Sequence, residues 1–153
     1  MPLSFAYCLL LFSCDLVWDK NNICKMNKLI IDAANNKLFF MIISDHNNYN
    51  ITHENSKNNY EKLIILIDDF LKSINLGFNQ VSEIYVNRGP GSFAGIRNSL
   101  SVVKALRLTN KIDYYCYSFA DFKGENKINY EDIPSLCEKF KIKKNLINPI
   151  YMS

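Results

Sequence analysis

Histidine, glycine and proline are scarce in this chain, and each scarcity excludes something. There are two His, His46 and His53, neither in an HxxxH or HExxH pattern. Both read as surface-loop residues, and no histidine-based metal centre is expected. Five Cys occur, at Cys8, Cys14, Cys24, Cys116 and Cys137; the number is odd, the spacing is irregular and there is no CxxC. That pattern is neither a disulfide framework nor a zinc site, and it fits a reducing compartment. The apolar stretch Leu3 to Cys14 is too short to span a bilayer, and it lacks the basic flank and small-residue cleavage site of an export signal. Neither sign of charge dominates: the formal net charge of +3 selects no class of partner. Asn is abundant instead, at 20 residues, so a single Asn carries little information. The sequon Asn50-Ile51-Thr52 matters only in a secretory compartment.

Three of the five glycines fall together, at Gly89, Gly91 and Gly95, inside the stretch that organises the chain. Ser82 to Val86 is a β-branched and aromatic run that predicts a strand. Ser92 to Leu108 is apolar at helical spacing and predicts a helix with Ser92 as its N-cap. Between them Arg88-Gly89-Pro90-Gly91-Ser92 makes a tight turn. Such a corner has two readings, an anion site at a helix N-terminus or a compact strand-to-helix junction. It is not a Walker A loop, because no Lys-Ser/Thr follows the glycines, and the spacing is not GxGxxG.

Upstream, Lys28 to Ala34 and Leu38 to Ser44 predict a hairpin whose first strand ends in Asp32. A third strand is expected near Tyr49 to His53. Tyr60 to Ile74 predicts a helix with Tyr60, Leu63, Ile64, Ile67, Phe70, Leu71 and Ile74 on its buried side. Ile65 falls nearly opposite that stripe and Leu66 on its flank. In the second helix Phe93, Ile96, Leu100 and Val103 define a stripe that Val102 and Leu106 widen, with small Ser99 between. Two helices with over-wide apolar faces either dock another protein or pack on each other and the sheet. Lys111 to Ser118 predicts a further strand, and Tyr130 to Phe140 a short helix within a Lys-rich polar stretch. The basic run Lys139, Lys141, Lys143 and Lys144 reads as a solvated face rather than a nucleic-acid site. No Ser or Cys is paired in the sequence with an evident base, so no catalytic residue is expected.

The string RGPGSFAGIR closely resembles the GRGPGSFTGLR signature of the TsaB (YeaZ) family, matching at Arg88, Gly89, Pro90, Gly91, Ser92, Phe93, Gly95 and Arg97. Asn87 stands where that family has Gly, and Ala94 where it has Thr. The resemblance implies an actin-like ATPase or ribonuclease H-like α/β lobe, with a mixed sheet and two helices packed together on one face. It implies a non-catalytic cytoplasmic partner of the TsaD-type catalytic protein in threonylcarbamoyladenosine modification of tRNA. A TsaE-type ATPase would join the complex, and tRNA would be contacted only indirectly. Docking is then expected through Leu63, Ile65, Leu66 and Phe70 of the first helix and Ile96, Ser99, Val103 and Leu106 of the second. The same surface would allow a homodimer when the chain is alone. In nucleotide-binding relatives of this fold the acid at the end of the first strand faces phosphate and metal. Here Ala33 and Asn35 replace the neighbouring Thr residues, so Asp32 is expected to be a relic or a group satisfied by local amides, and no cofactor or metal is expected. A degenerate self-dimerising paralogue, and a nucleotide binder using the Gly89–Ser92 turn, stand as the alternatives.

The resemblance covers Met26 to Ala120 and the closing Asn148-Pro149-Ile150-Tyr151-Met152, which is similar to the family's PxYLR. Residues 1–25 are expected to lie outside the fold, with Met26 as the natural start. Residues 26–122 are expected to form the family's N-terminal lobe. Residues 123–153 are expected to be a remnant polar segment and tail, where family members carry a second lobe.

Overall fold

Alternating side chains build a five-stranded sheet with both faces covered. The structure, a computed structural model, describes residues 26–152, so the expectation for residues 1–25 lies outside the described residues. β1 (Asn27–Asp32), β2 (Lys37–Ile43) and β3 (Asn48–Glu54) form an antiparallel meander. β4 (Val81–Asn87) and β5 (Asp113–Tyr117) add in parallel, giving the order β3-β2-β1-β4-β5. This is the mixed α/β sheet of an actin-like or ribonuclease H-like lobe. Each strand sends alternate residues to opposite faces. Leu29, Ile31, Phe40, Ile42, Ile84 and Val86 join one apolar layer, while Ile30, Met41, Tyr85 and Tyr117 join the other.

The first layer is closed by three helices: α1 (Lys57–Glu61), α2 (Leu63–Ser73) and α3 (Phe93–Asn110). The helix expected over Tyr60–Ile74 begins earlier and is interrupted at Lys62. Ser56 caps the first turn by accepting the Asn59 amide at 3.3 Å. Lys57, Asn58 and Asn59 carry no apolar period, which hides that turn from a periodicity reading. At the far end Asn75 takes a left-handed conformation, and the Leu76 amide donates back to the Leu71 carbonyl at 2.9 Å. His53 is placed in β3 rather than in a loop, with its ring 5.8 Å from that of Phe40.

The second layer is made by the stretch expected to be a polar remnant. A turn of 3-10 helix at Tyr130–Asp132 leads into α4 (Ile133–Lys139). Ile133, Leu136 and Cys137 are buried against Tyr117 and Phe122, with Ile128, Phe140 and Ile142 around them. Lys123–Lys144 is therefore an integral layer. Its apolar residues are spaced widely enough to look polar along the sequence, and they converge only when laid on the sheet.

Cys116 and Cys137 are buried in these two layers, and burial pushes each thiol up to about 12. The thiolate is the reactive form, so both are expected to resist alkylation. In the folded full chain at pH 8, iodoacetamide should modify them roughly a thousandfold more slowly than in urea, judged from the thiolate fractions. Peptide mapping distinguishes them from the other three cysteines. Unfolded thiols lose a proton that the buried ones keep, so stability should fall as pH rises from about 9 to about 12. Native-state labelling as fast as in urea would contradict this packing.

Candidate functional site

The glycine turn is a packing junction for three segments. Gly89 has φ +105, in the left-handed region, and a β-carbon there would overlap the Ile150 carbonyl and sit 2.8 Å from Ile96 Cδ1. At Gly91 and Gly95 the demand is space. A β-carbon on Gly91 would overlap the Ala34 carbonyl, and one on Gly95 the Ala33 carbonyl. The turn between β1 and β2 thus lies directly on the first turn of α3. The Ser92 amide donates to the Ala34 carbonyl at 2.8 Å. Ser92 Oγ accepts from the Gly95 amide at 3.3 Å and shares a 3.0 Å hydrogen bond with the Tyr60 hydroxyl.

Arg88 ties the corner to the rest of the chain. Its Nε and Nη2 donate to the two oxygens of Asp121 at 3.2 and 2.6 Å, and its Nη1 to the Asn148 carbonyl at 3.0 Å. The Ile150 amide donates back to the Arg88 carbonyl at 2.8 Å. The tail reaches this point by running along the edge of β5, where Lys144 bridges to Tyr115 and the Asn145 amide donates to the Tyr114 carbonyl at 2.7 Å. Beyond Ile150, Tyr151 sets its ring 4.8 Å from that of Phe93.

An actin-like fold implies a nucleotide with its metal at the end of β1, and the residues here do not fit one. Asp32 is fully buried, and its carboxylate is already used. One oxygen accepts the Ala34 amide at 3.0 Å. The other accepts Asn35 Nδ2 at 2.6 Å and the Tyr130 hydroxyl at 2.7 Å. Tyr130 is stacked on Phe39 with centroids 4.2 Å apart. Burial, then the charge of Asp32, pushes the Tyr130 hydroxyl upward, so it stays a donor. Near the other anion position, the first turn of α3, the Ala33 and Ala34 carbonyls are packed in, and carbonyl oxygens repel an anion. Two of these donors, the Ala34 amide and the Asn35 side chain, are local to Asp32. Tyr130, 98 residues away, was not foreseeable from the sequence.

The outer side of α2 and α3 is different. Ile64 of α2 and Ser101, Val102, Ala105, Leu106 and Thr109 of α3 line an open groove of about 410 Å³. Ile65, which is not in that lining, is 55% exposed on α2, and Leu66 is half-buried. The docking set expected from the sequence is corrected here. Leu63, Phe70, Ile96, Ser99 and Val103 are turned into the chain's own core, because the sheet below and the α2–α3 contact consume those positions, and Leu106, 5% exposed, belongs to that core and shows only at the groove's floor. Ile64, expected to be buried, lines the groove instead, and Phe93, expected in the stripe of the second helix, is 58% exposed and meets only the tail through Tyr151. Sequence reasoning missed Ala105, which is small and silent in an apolar period.

Comparison with known proteins gives a consistent picture. A family model described as TsaD, tRNA N6-adenosine threonylcarbamoyltransferase, matches residues 45–118. The chain is similar to a protein of Buchnera aphidicola subsp. Baizongia pistaciae named tRNA threonylcarbamoyladenosine biosynthesis protein TsaB. The two are 29% identical over 80 residues, covering 52% of this chain and 36% of that protein. Among solved structures, YeaZ from Pseudomonas aeruginosa superposes with a TM-score of 0.57 at 19% identity, over 63% of this chain and 46% of that one. A second structure, described as an uncharacterized protein with similarity to peptidase YEAZ from Pseudomonas aeruginosa, gives the same TM-score over 45% of its chain. The matches thus span less than half the length of these relatives. Among the described residues no helix is long and apolar enough to cross a membrane.

Proposed function

We propose that this chain, which is a TsaB/YeaZ-family protein, is a cytoplasmic, non-catalytic subunit that docks a TsaD-type catalytic protein. In that role it supports threonylcarbamoyladenosine formation in tRNA without itself touching the reacting atoms. The observation that carries the reading is the apolar groove between α2 and α3, lined by exposed Ile64, with Ile65 exposed on the outer side of the same helix. A helix face left apolar after the core is closed is suited to receive a helix of another protein. The best-placed hydroxyl of the signature, Ser92, is spent on the Gly95 amide and Tyr60, which supports a scaffold rather than a nucleophile. A TsaE-type ATPase would join through the complex. Residues 1–25 are proposed to lie outside the docking lobe.

The test is co-purification of the full chain with the TsaD-type protein of the same genome, followed by size-exclusion light scattering. A one-to-one complex is expected. It should be lost on Ile65→Asp and on Ala105→Asp while circular dichroism stays native. Leu106→Asp is unsuitable, because Leu106 is buried and an aspartate there tests folding. Failure of the unaltered chain to bind that protein would overturn the reading.

A further inference from the structure

α4 covers its face of the sheet only in part. The helix has seven residues and is about 10 Å long, whereas β4, also of seven, runs about 20 Å. It stops sharply, because Lys141 turns left-handed at φ 54 and the Ile142 amide returns to the Cys137 carbonyl at 2.9 Å. The layer it makes closes over Ile30 and Tyr117. Lys28 lies two residues before Ile30 on β1 and so shares its face, and its register partner on β4 is Glu83. These two side chains, each 28% exposed, line a pocket of about 500 Å³, within the usual size range of small-ligand pockets.

The charged groups of this pocket are fixed in place but not satisfied. The buried Tyr85 hydroxyl donates to Glu83 Oε2 at 2.7 Å, and burial pushes that hydroxyl upward, so it stays a donor. Lys28 Nζ lies 3.9 Å from the same oxygen, beyond hydrogen-bond length. Among the described residues neither Lys28 Nζ nor Glu83 Oε1 makes a hydrogen bond. An ammonium and a carboxylate thus stand side by side, each with bonding capacity left. Tyr115 stacks on Tyr85 with centroids 5.1 Å apart and gives the pocket an aromatic wall. Pro134, Cys137 and Ile142 make the α4 side apolar. Glu138 and Lys141 bring the lining to two acids and two bases, so a phosphate-rich or polycationic ligand meets its own sign as often as the opposite one.

We propose that this pocket binds the free zwitterion of an amino acid with a large apolar or aromatic side chain, its carboxylate on Lys28 and its ammonium on Glu83. An α-amino acid carries both charges on one carbon, which suits two groups held so close together. Its side chain lies against the tyrosine wall and the apolar side of α4. The pocket is on the opposite face of the sheet from the α2–α3 groove, so the proposal stands apart from the docking reading.

The test titrates the full chain with L-phenylalanine, followed by amide NMR. Saturable shifts are expected around Lys28, Glu83 and Tyr115, with a Kd of about 1 mM or below. N-acetyl-L-phenylalanine lacks the ammonium and L-phenylalaninamide the carboxylate, and each should bind about tenfold more weakly. Glu83→Gln, which keeps an acceptor for Tyr85, should abolish the preference over the acetylated ligand. Lys28→Met should abolish the preference over the amide. Absence of saturable shifts up to about 20 mM ligand overturns the proposal. So do capped ligands that bind as tightly as the amino acid, which would show a merely apolar surface, and folded variants that keep both preferences. The capped-ligand comparison needs no substitution, so it decides the proposal even where a variant fails to fold.

Discussion

Valine at Gly89 is expected to cost about 2–6 kcal/mol, a large share of the chain's stability. Gly89 holds φ +105, a conformation that a β-branched residue resists at a cost of about 1–3 kcal/mol. Its β-carbon would also meet the Ile150 carbonyl and Ile96 Cδ1, and overpacking adds about another 1–3 kcal/mol. A domain of this size has only on the order of 5–15 kcal/mol in total. The two costs separate experimentally. Removing residues 148–153 takes away the Ile150 carbonyl but not the backbone demand. Urea melts should therefore show Gly89→Val less damaging in the shortened chain than in the full one, yet still damaging. A valine variant that melts with the unaltered chain would mean that the tail does not sit on the turn. Because α3 starts four residues after Gly89, the same substitution should misdirect the groove and weaken partner docking.

Replacing Arg88 with alanine is expected to cost about 3 kcal/mol, the low end for breaking a buried ion pair. Arg88 and Asp121 are only 14% and 21% exposed, and the guanidinium grips both carboxylate oxygens. Its third donor holds the Asn148 carbonyl, so the tail should loosen too. Asp121 also accepts the Ser118 amide at 2.8 Å and would be left with a buried, half-paired charge. A double-mutant cycle with Asp121→Ala should return a coupling of about 1–3 kcal/mol. Arg88→Lys should rescue little, because an ammonium cannot reproduce the planar fork. Full stability in the lysine variant would show that the fork geometry is not what holds the tail. Hydrogen exchange at Ile150, whose amide is bound to the Arg88 carbonyl, reports the tail directly.

Much of the lobe was legible in the sequence because its signals are local. The hairpin announces itself by short apolar runs either side of Asn35-Asn36-Lys37, and the observed strands Asn27–Asp32 and Lys37–Ile43 differ from the reading by a residue or two. The Ser92 cap and the helix beyond it followed from a hydroxyl placed before an apolar period, and α3 does start at Phe93. The signature string around Gly89 carried the family resemblance. The outward face of the helices was less legible. A periodicity counts apolar residues without knowing how wide the covering sheet is, so it placed Ile64 inside and offered buried Leu106 to a partner.

The sequence by itself determined the order of the strands along the chain, the glycine corner and the two helices that follow from it. Backbone conformation and alternation act over neighbours a few residues apart, and a single sequence records them. The tertiary structure alone decided four things. It laid the Lys123–Lys144 stretch on the second face of the sheet, and it brought Tyr130 to the carboxylate of Asp32. It threaded the tail along β5 onto Arg88 and Gly89, which gives the glycine at 89 its second reason. It divided the apolar side chains of α2 and α3 between core and groove. Each depends on contacts between residues tens of positions apart, whose meeting is set by how whole elements pack and leaves no period in the sequence.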